Sequence, residues 1–313
     1  MAKKLINATH LEGVLYQHDL KLNTSGPNSA HPGTEYISGN IEIATDDAGI
    51  NIVPVHFTYV TATTSKGKTN DVFNTLKNII NKVYKTAMEV GAENAAKLRV
   101  DSAIGLNEFY TTNRATGAEE FVSTKRNEGG FVHVVNAIDE DPNKRNYFDV
   151  DIVITNVRHV DANEEKNTPE KAIVKGAIFD FRKNLLPVEF SVVHPNAIAY
   201  FEDLGATDKN PVFTRIKGTQ ISETIVRTIT EESAFGEPSV RQIKNTRKDY
   251  VITWAAKEEY EWDSEETLTA KEFIDMIAAR ETTLATIKQR NDEYKASKGS
   301  AIPAAPAAGG FNF

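Results

Sequence analysis

Residues 51–60, Asn-Ile-Val-Pro-Val-His-Phe-Thr-Tyr-Val, return at 184–193 as Asn-Leu-Leu-Pro-Val-Glu-Phe-Ser-Val-Val. Five of the ten positions are identical and three more exchange like for like. Asn, Pro and Phe repeating in register predict two copies of one fold. The segments before each copy correspond as well, 36–43 around Gly39 and 173–180 around Gly176, and each reads as a strand bent at its glycine. Equivalent places are expected for Gly39 and Gly176, for Pro54 and Pro187, and for Phe57 and Phe190.

A helix is expected after each copy, long over about 70–89 and short over about 195–204. Strands opening on Arg99-Val100 and Arg215-Ile216 follow, and last strands fall at 131–136 and 250–254; a further strand precedes each unit, near 14–22 and 148–160. The order is three strands, a helix and two strands, twice. That is the connectivity of an OB-fold, a five-stranded Greek-key barrel, with a duplicated β domain of another type as the alternative. The expected fold class is mainly β with some α: tandem OB-fold domains over 1–140 and 141–256. An acidic segment and C-terminal helix occupy 257–296, and a flexible tail 297–313.

The helix is expected over 266–296, opened by a capping box from Thr269 to Glu272, with Phe273, Ile277, Leu284 and Ile287 along one stripe. That stripe either packs on a barrel or associates with another copy. The tail ends in Phe311 and Phe313, either an accident of a disordered terminus or a peptide that docks in a partner.

Absence of Cys excludes disulfides, thiolate catalysis and cysteine-based zinc sites and suits a reducing cytoplasm. No run approaches the ~20 apolar residues of a membrane span. A soluble cytoplasmic protein with no membrane partner is therefore expected. The net charge of −8 argues at first against nucleic acid, but residues 257–293 hold eleven acidic residues against five basic ones. The rest of the chain therefore carries only −2.

Within that remainder the cations gather in short groups, many beside aromatics, the pairing that single strands need for phosphates and bases. One platform is expected on the outer face of the second unit, where Lys175, Phe179 and Phe181 alternate outward, followed by Arg182 and Lys183; the alternative is a face covered by the other barrel. Val53, Val55, Phe57 and Tyr59, with Leu186, Val188, Phe190 and Val192, are expected on core faces. Two loops between the last strands of each unit add Phe109, Tyr110, Arg114, Lys125 and Arg126 in the first and Phe235, Arg241, Lys244, Arg247 and Lys248 in the second. Lys66 and Lys68 sit in a Ser-Lys-Gly-Lys-Thr loop that lacks the earlier Gly of a phosphate loop, so backbone contact fits better than nucleotide hydrolysis.

The seven His show no metal-ligand spacing and the carboxylates form no recognisable acid, base or nucleophile set. No enzyme activity, metal or cofactor is expected.

The Ser-Gly-Asn-Ile and Val-Lys-Gly-Ala-Ile strands, Glu232-Ser-Ala-Phe-Gly-Glu-Pro with its basic continuation, and a core followed by a tail resemble the single-stranded DNA-binding proteins of tailed bacteriophages. The likeness spans about 11–255. It implies sequence-tolerant binding of single-stranded DNA in replication or recombination, with replication or recombination proteins as partners of the tail. The Gly-Gly-Phe-Asn-Phe end lacks the acidic tip of bacterial proteins of this type. The acidic residues from Glu258 to Glu266 are expected to compete with DNA for the basic groove. A structural or assembly protein of duplicated barrels is the alternative.

Overall fold

A computed structural model describes residues 5–163, 168–231, 235, 239–263 and 268–299, without the side chains of 225–231, 239, 241–245 and 298–299. The first unit comprises β1 (Asn7–His18), β2 (Lys21–Thr24), β3 (Glu35–Ala44), β4 (Ile52–Thr61), α1 (Asp71–Ile80), α2 (Ala87–Val90), β5 (Lys97–Thr112) and β6 (Glu119–Val135). After α3 (Pro142–Arg145), the second comprises β7 (Asn146–Val160), β8 (Lys171–Phe179), β9 (Leu185–Val192), α4 (Pro195–Asp203), β10 (Val212–Glu231) and β11 (Ser239–Ala255). α5 (Ala270–Gly299) closes the described chain.

Strand pairing in the first unit runs β1, β3, β4, β6, β5 and back to β1, antiparallel throughout except between β4 and β6. In the second it runs β7, β8, β9, β11, β10 and back to β7, with only β9 and β11 parallel. Both circuits close in the same order. β1 also pairs with β7, which makes one continuous antiparallel surface of β6, β5, β1, β7, β10 and β11.

Alternation dictates what each circuit encloses. Leu11 and Leu15 of β1, Val53, Val55 and Phe57 of β4, and Leu98 and Val100 of β5 point inward, and α1 seals the space with Phe73, Leu76 and Ile79. Asn70 caps that helix by accepting from Val72 N at 3.2 Å. The second interior holds Phe148, Ile152, Val188, Phe190 and Val192, sealed by Ile198 and Phe201 of α4. Full burial of such a side chain contributes about 1.5–3 kcal/mol, so both copies of the repeated segment act as core.

The repeat is equivalent at Phe57 and Phe190, on the third strand of each circuit, but not at the glycines. Gly39 stands opposite Phe57 and Gly176 opposite Val188, two residues out of step with the repeat. Each glycine admits a different neighbour. A Cβ on Gly39, whose φ is +127°, would meet Asp19 O at 2.9 Å, whereas one on Gly176 would meet Val153 O at 2.3 Å.

Two further expectations change. The helix expected to 89 ends at Ile80, because Lys82 takes a left-handed φ of 60° and Thr86 starts α2 with its own capping box. The segments expected as loops at 109–126 and 231–248 are long ribbons, with β5 and β6 paired from Lys97↔Val135 to Thr112↔Glu119, and β10 and β11 from Ile216↔Ala255 to Glu231↔Ser239. Cross-strand pairs such as Tyr110↔Phe121 and Phe109↔Val122 hold the first ribbon. Of the acidic stretch, Glu265 and Glu266 lie outside the described residues; in its described part Tyr260 N donates to Phe213 O at 2.7 Å, and the Trp262 ring lies 5.6 Å from Phe213.

The two units are tied reciprocally. Asn7, heading β1, donates to Ile104 O of its own unit (2.9 Å) and Phe179 O of the other (3.0 Å), and accepts from Ile104 N (2.9 Å). Asn146, heading β7, donates to Gln220 O (2.7 Å) and to Thr45 Oγ1 across the seam (3.4 Å), and accepts from Gln220 N (3.2 Å). Among the described residues no helix is long and apolar enough to cross a membrane.

Candidate nucleic-acid interface

β4 outruns its barrel. Tyr59, next in the alternation after Phe57, therefore leaves the core, contrary to expectation, and is 45% exposed. Its ring lies 4.5 Å from that of Tyr36, and its hydroxyl is 3.1 Å from Ser25 Oγ. The β8–β9 turn borders the same cleft. Asp180 Oδ1 accepts from Arg182 N and Asn184 N at 2.8 Å each, and Lys183 takes a φ of 62°. That tight turn projects Phe181, 87% exposed, with the Arg182 guanidinium 5.1 Å above its ring.

Between Tyr59 and Phe181 lies a cleft of about 1120 Å³, floored by Asn7, Ala8 and the middle of β5 and walled by Met276, Ala279 and Arg280 of α5. Its acids are already engaged. Glu108 is gripped by both terminal nitrogens of Arg280, Glu128 pairs with Arg126 at 2.5 Å, and Asp180 caps its own turn. Lys183 lies 3.6 Å from Glu272. A smaller depression of about 390 Å³ continues from Thr58 to Ser38, His56 and Lys21. His56 Nδ1 is 2.9 Å from Asn40 Oδ1, and burial first, then Arg126, hold this imidazole below its ordinary pKa. It is thus a neutral hydrogen-bonding group on the path.

The structure gathers Phe181, Arg182 and Lys183 at the cleft and removes Phe179 from the exposed platform expected on the outer face of the second unit. Phe179 is 1% exposed, 6.5 Å from both Phe213 and Phe273, because Tyr260, Trp262, Leu268 and Phe273 join the apolar cluster that covers the outer face of β8. Lys175 remains exposed opposite Glu189. Lys66 and Lys68 occupy an exposed turn closed by Thr64 N to Lys68 O at 2.8 Å, away from the cleft. Arg114 is exposed at the tip of the first ribbon, and Phe109 is half-exposed on it. Tyr110 faces α5, with Lys288 Nζ 5.0 Å from its ring. Phe235 is exposed in the connection between β10 and β11, and Arg247 and Lys248 are exposed on the second ribbon, while the side chains of Arg241 and Lys244 lie outside the described residues, as do Phe311 and Phe313.

Lys125 also departs from its expected role. Its ammonium lies 4.8 Å from the Phe190 ring and 4.7 Å from Tyr250, and it donates to Glu189 O. Burial pulls its pKa down to about 8 against the raising pull of Asp249 and Glu189. This lysine is a seam residue turned inward. Lys125→Met should keep the stem packing and change single-strand affinity less than about twofold, as an oligonucleotide titration would record. Loss of a phosphate contact would instead flatten the salt dependence by about 0.7 in log–log slope.

Tyr36, Tyr59, His56, Lys21 and Arg280 were not singled out from sequence as binding residues. A signal existed at Tyr59 and His56, which stand where the second copy has Val192 and Glu189, the two positions at which the repeat fails to conserve character.

The model of the family described as YorF matches residues 6–290. No curated protein matches the sequence. Among solved structures, a deletion mutant of the single-stranded DNA binding protein from Thermus aquaticus is similar at a TM-score of 0.42 and 10% identity, over 84% of this chain and 99% of that chain. A likeness this distant carries no weight for function.

Proposed function

The chain belongs to the YorF family, and from its geometry we propose that it is a non-enzymatic, sequence-tolerant single-stranded DNA-binding protein. Its two units, over about 1–140 and 141–256, are read as tandem OB-folds, a reading supported by the identical closed pairing order with one parallel contact in each circuit. The observation that carries the function is the cleft between them. Exposed rings of Tyr59 and Phe181 border one cavity, the Arg182 cation sits beside Phe181, and the cavity's carboxylates are already partnered.

Rings can stack only on bases that a duplex does not hide, and each stacked base is worth about 1–3 kcal/mol without regard to identity. Arg182, Lys183 and Lys21 would take phosphates along the path. Engagement of Glu108, Glu128 and Asp180 leaves them poorly placed to act as a general base, in keeping with binding rather than catalysis. A role in replication or recombination suits such a module.

The test is a titration of the full chain with a labelled single-stranded oligonucleotide across salt concentrations. Three phosphate contacts predict a log–log slope of about −2, with the matching duplex bound more weakly. No binding, or equal binding of the duplex, would overturn the reading.

A further inference from the structure

α5 changes character along its length. Its first turns are anchored by Leu268 and Phe273 in an apolar cluster that Met276 joins, and by Thr269 and Glu272, whose hydrogen bonds complete the capping box. Beyond Met276 the helix contributes to none of the described core clusters, and Leu284 and Ile287 are only partly covered. Charge holds that stretch to the β5–β6 ribbon. Arg280 grips Glu108, and Glu119 accepts from Lys288 at 2.6 Å, from Asn291 at 2.5 Å and from Lys295.

We propose that Arg280, Lys288 and Lys295 form a second phosphate-binding row, continuous with the cleft and masked in the free protein by the ribbon carboxylates Glu108 and Glu119. The proposal rests on the single-stranded DNA reading and extends its site. Three observations support it. Arg280 lines the cleft, so the row begins where the strand would lie, and its Nε is buried without a hydrogen-bond partner. The three cations sit eight and seven residues apart, about 12 and 10 Å along the helix axis, on the side facing the ribbon. Hydrogen bonds from Lys288 and Lys295 hold the Glu119 carboxyl down to about 2, so it stays an anion at any ordinary pH.

A carboxylate held by ammonium and guanidinium groups occupies the place a phosphate would take, and Arg binds phosphate bidentately just as it binds Glu108. The pairs of Glu119 with Lys288 and Lys295 are partly exposed and individually weak, so phosphates arriving from the cleft can displace them one at a time; at Arg280, 12% exposed and held bidentately by Glu108, an incoming phosphate must replace both contacts. Strand binding and ribbon docking would then exclude each other at the same three cations.

Glu119→Gln in the full chain separates this site from a simple change of net charge when compared with Glu120→Gln. Glu120 is exposed and bonds Asn113 at 2.7 Å. Releasing Lys295, and Lys288 from all but its helical partner Asp292 at 2.8 Å, should tighten single-strand binding severalfold at low salt and steepen the log–log salt slope by about 0.7–1.4. The Glu120 variant should show a smaller gain and an unchanged slope. Adding Lys288→Gln and Lys295→Gln to the Glu119 variant should abolish the gain. Circular dichroism confirms that each variant is folded. Wild type that binds while Glu119→Gln behaves identically, or a gain that survives loss of both lysines, would overturn the masked row alone. Wild type that binds no single strand would take down both readings.

Discussion

Phe179→Ala is expected to lower the free energy of unfolding by about 3–5 kcal/mol, which places it among the most damaging single substitutions in the chain. Phe179 is buried at the centre of the cluster that fastens α5 to the second unit, edge-on to Phe213 and Phe273. Truncation leaves a cavity beneath Leu268, and Phe273 loses the ring against which it packs. Denaturant unfolding followed by circular dichroism measures the loss. A cost below about 1 kcal/mol, the range of an exposed site, together with weakened strand binding, would return Phe179 to the stacking surface that its alternation in sequence suggested.

Removing both rings of the cleft, Tyr59→Ala with Phe181→Ala, should act in the opposite sense. Both rings are substantially exposed, so stability should move by less than about 1 kcal/mol, while affinity for a single strand falls by about 1–3 kcal/mol for each ring that stacks on a base. The single variants should each show part of the loss. Undiminished affinity in the folded double variant would remove the aromatic cleft from the account.

How far the sequence could be read depended on the range of the interactions. Val53, Val55 and Phe57 are buried with Val188 and Phe190 because alternation within one strand decides which face is apolar, and a ten-residue window contains that information. The order of strands about α1 and α4 followed from the same windows, whereas the short β2 and α3 were not expected. The outward direction of Phe179 was also a correct local reading. What covers it is Phe273, ninety-four residues later, and no local pattern records that contact.

The ribbons misled for a related reason. Arg114, Lys125 and Arg126 suggested a loop, but a ribbon that extends beyond its barrel can carry charge in paired strands, and cross-strand neighbours exist only once the register is known. Lys125 shows the consequence: its cation is spent on two rings of the other unit. The helix seam shifted likewise. Phe273 is buried and Ile277 exposed, and the residues that meet the ribbon are Arg280, Lys288 and Lys295, which a stripe of apolar residues could not reveal.

Hydrogen–deuterium exchange of the full chain, with and without a saturating single-stranded oligonucleotide, tests the central claim most directly, because it reports where the strand lies and not only that it binds. A strand in the cleft between the two units predicts slower exchange across 57–60, 103–108 and 179–186, the segments that line it from both sides. Unchanged exchange in all three segments while the oligonucleotide is bound would contradict the claim.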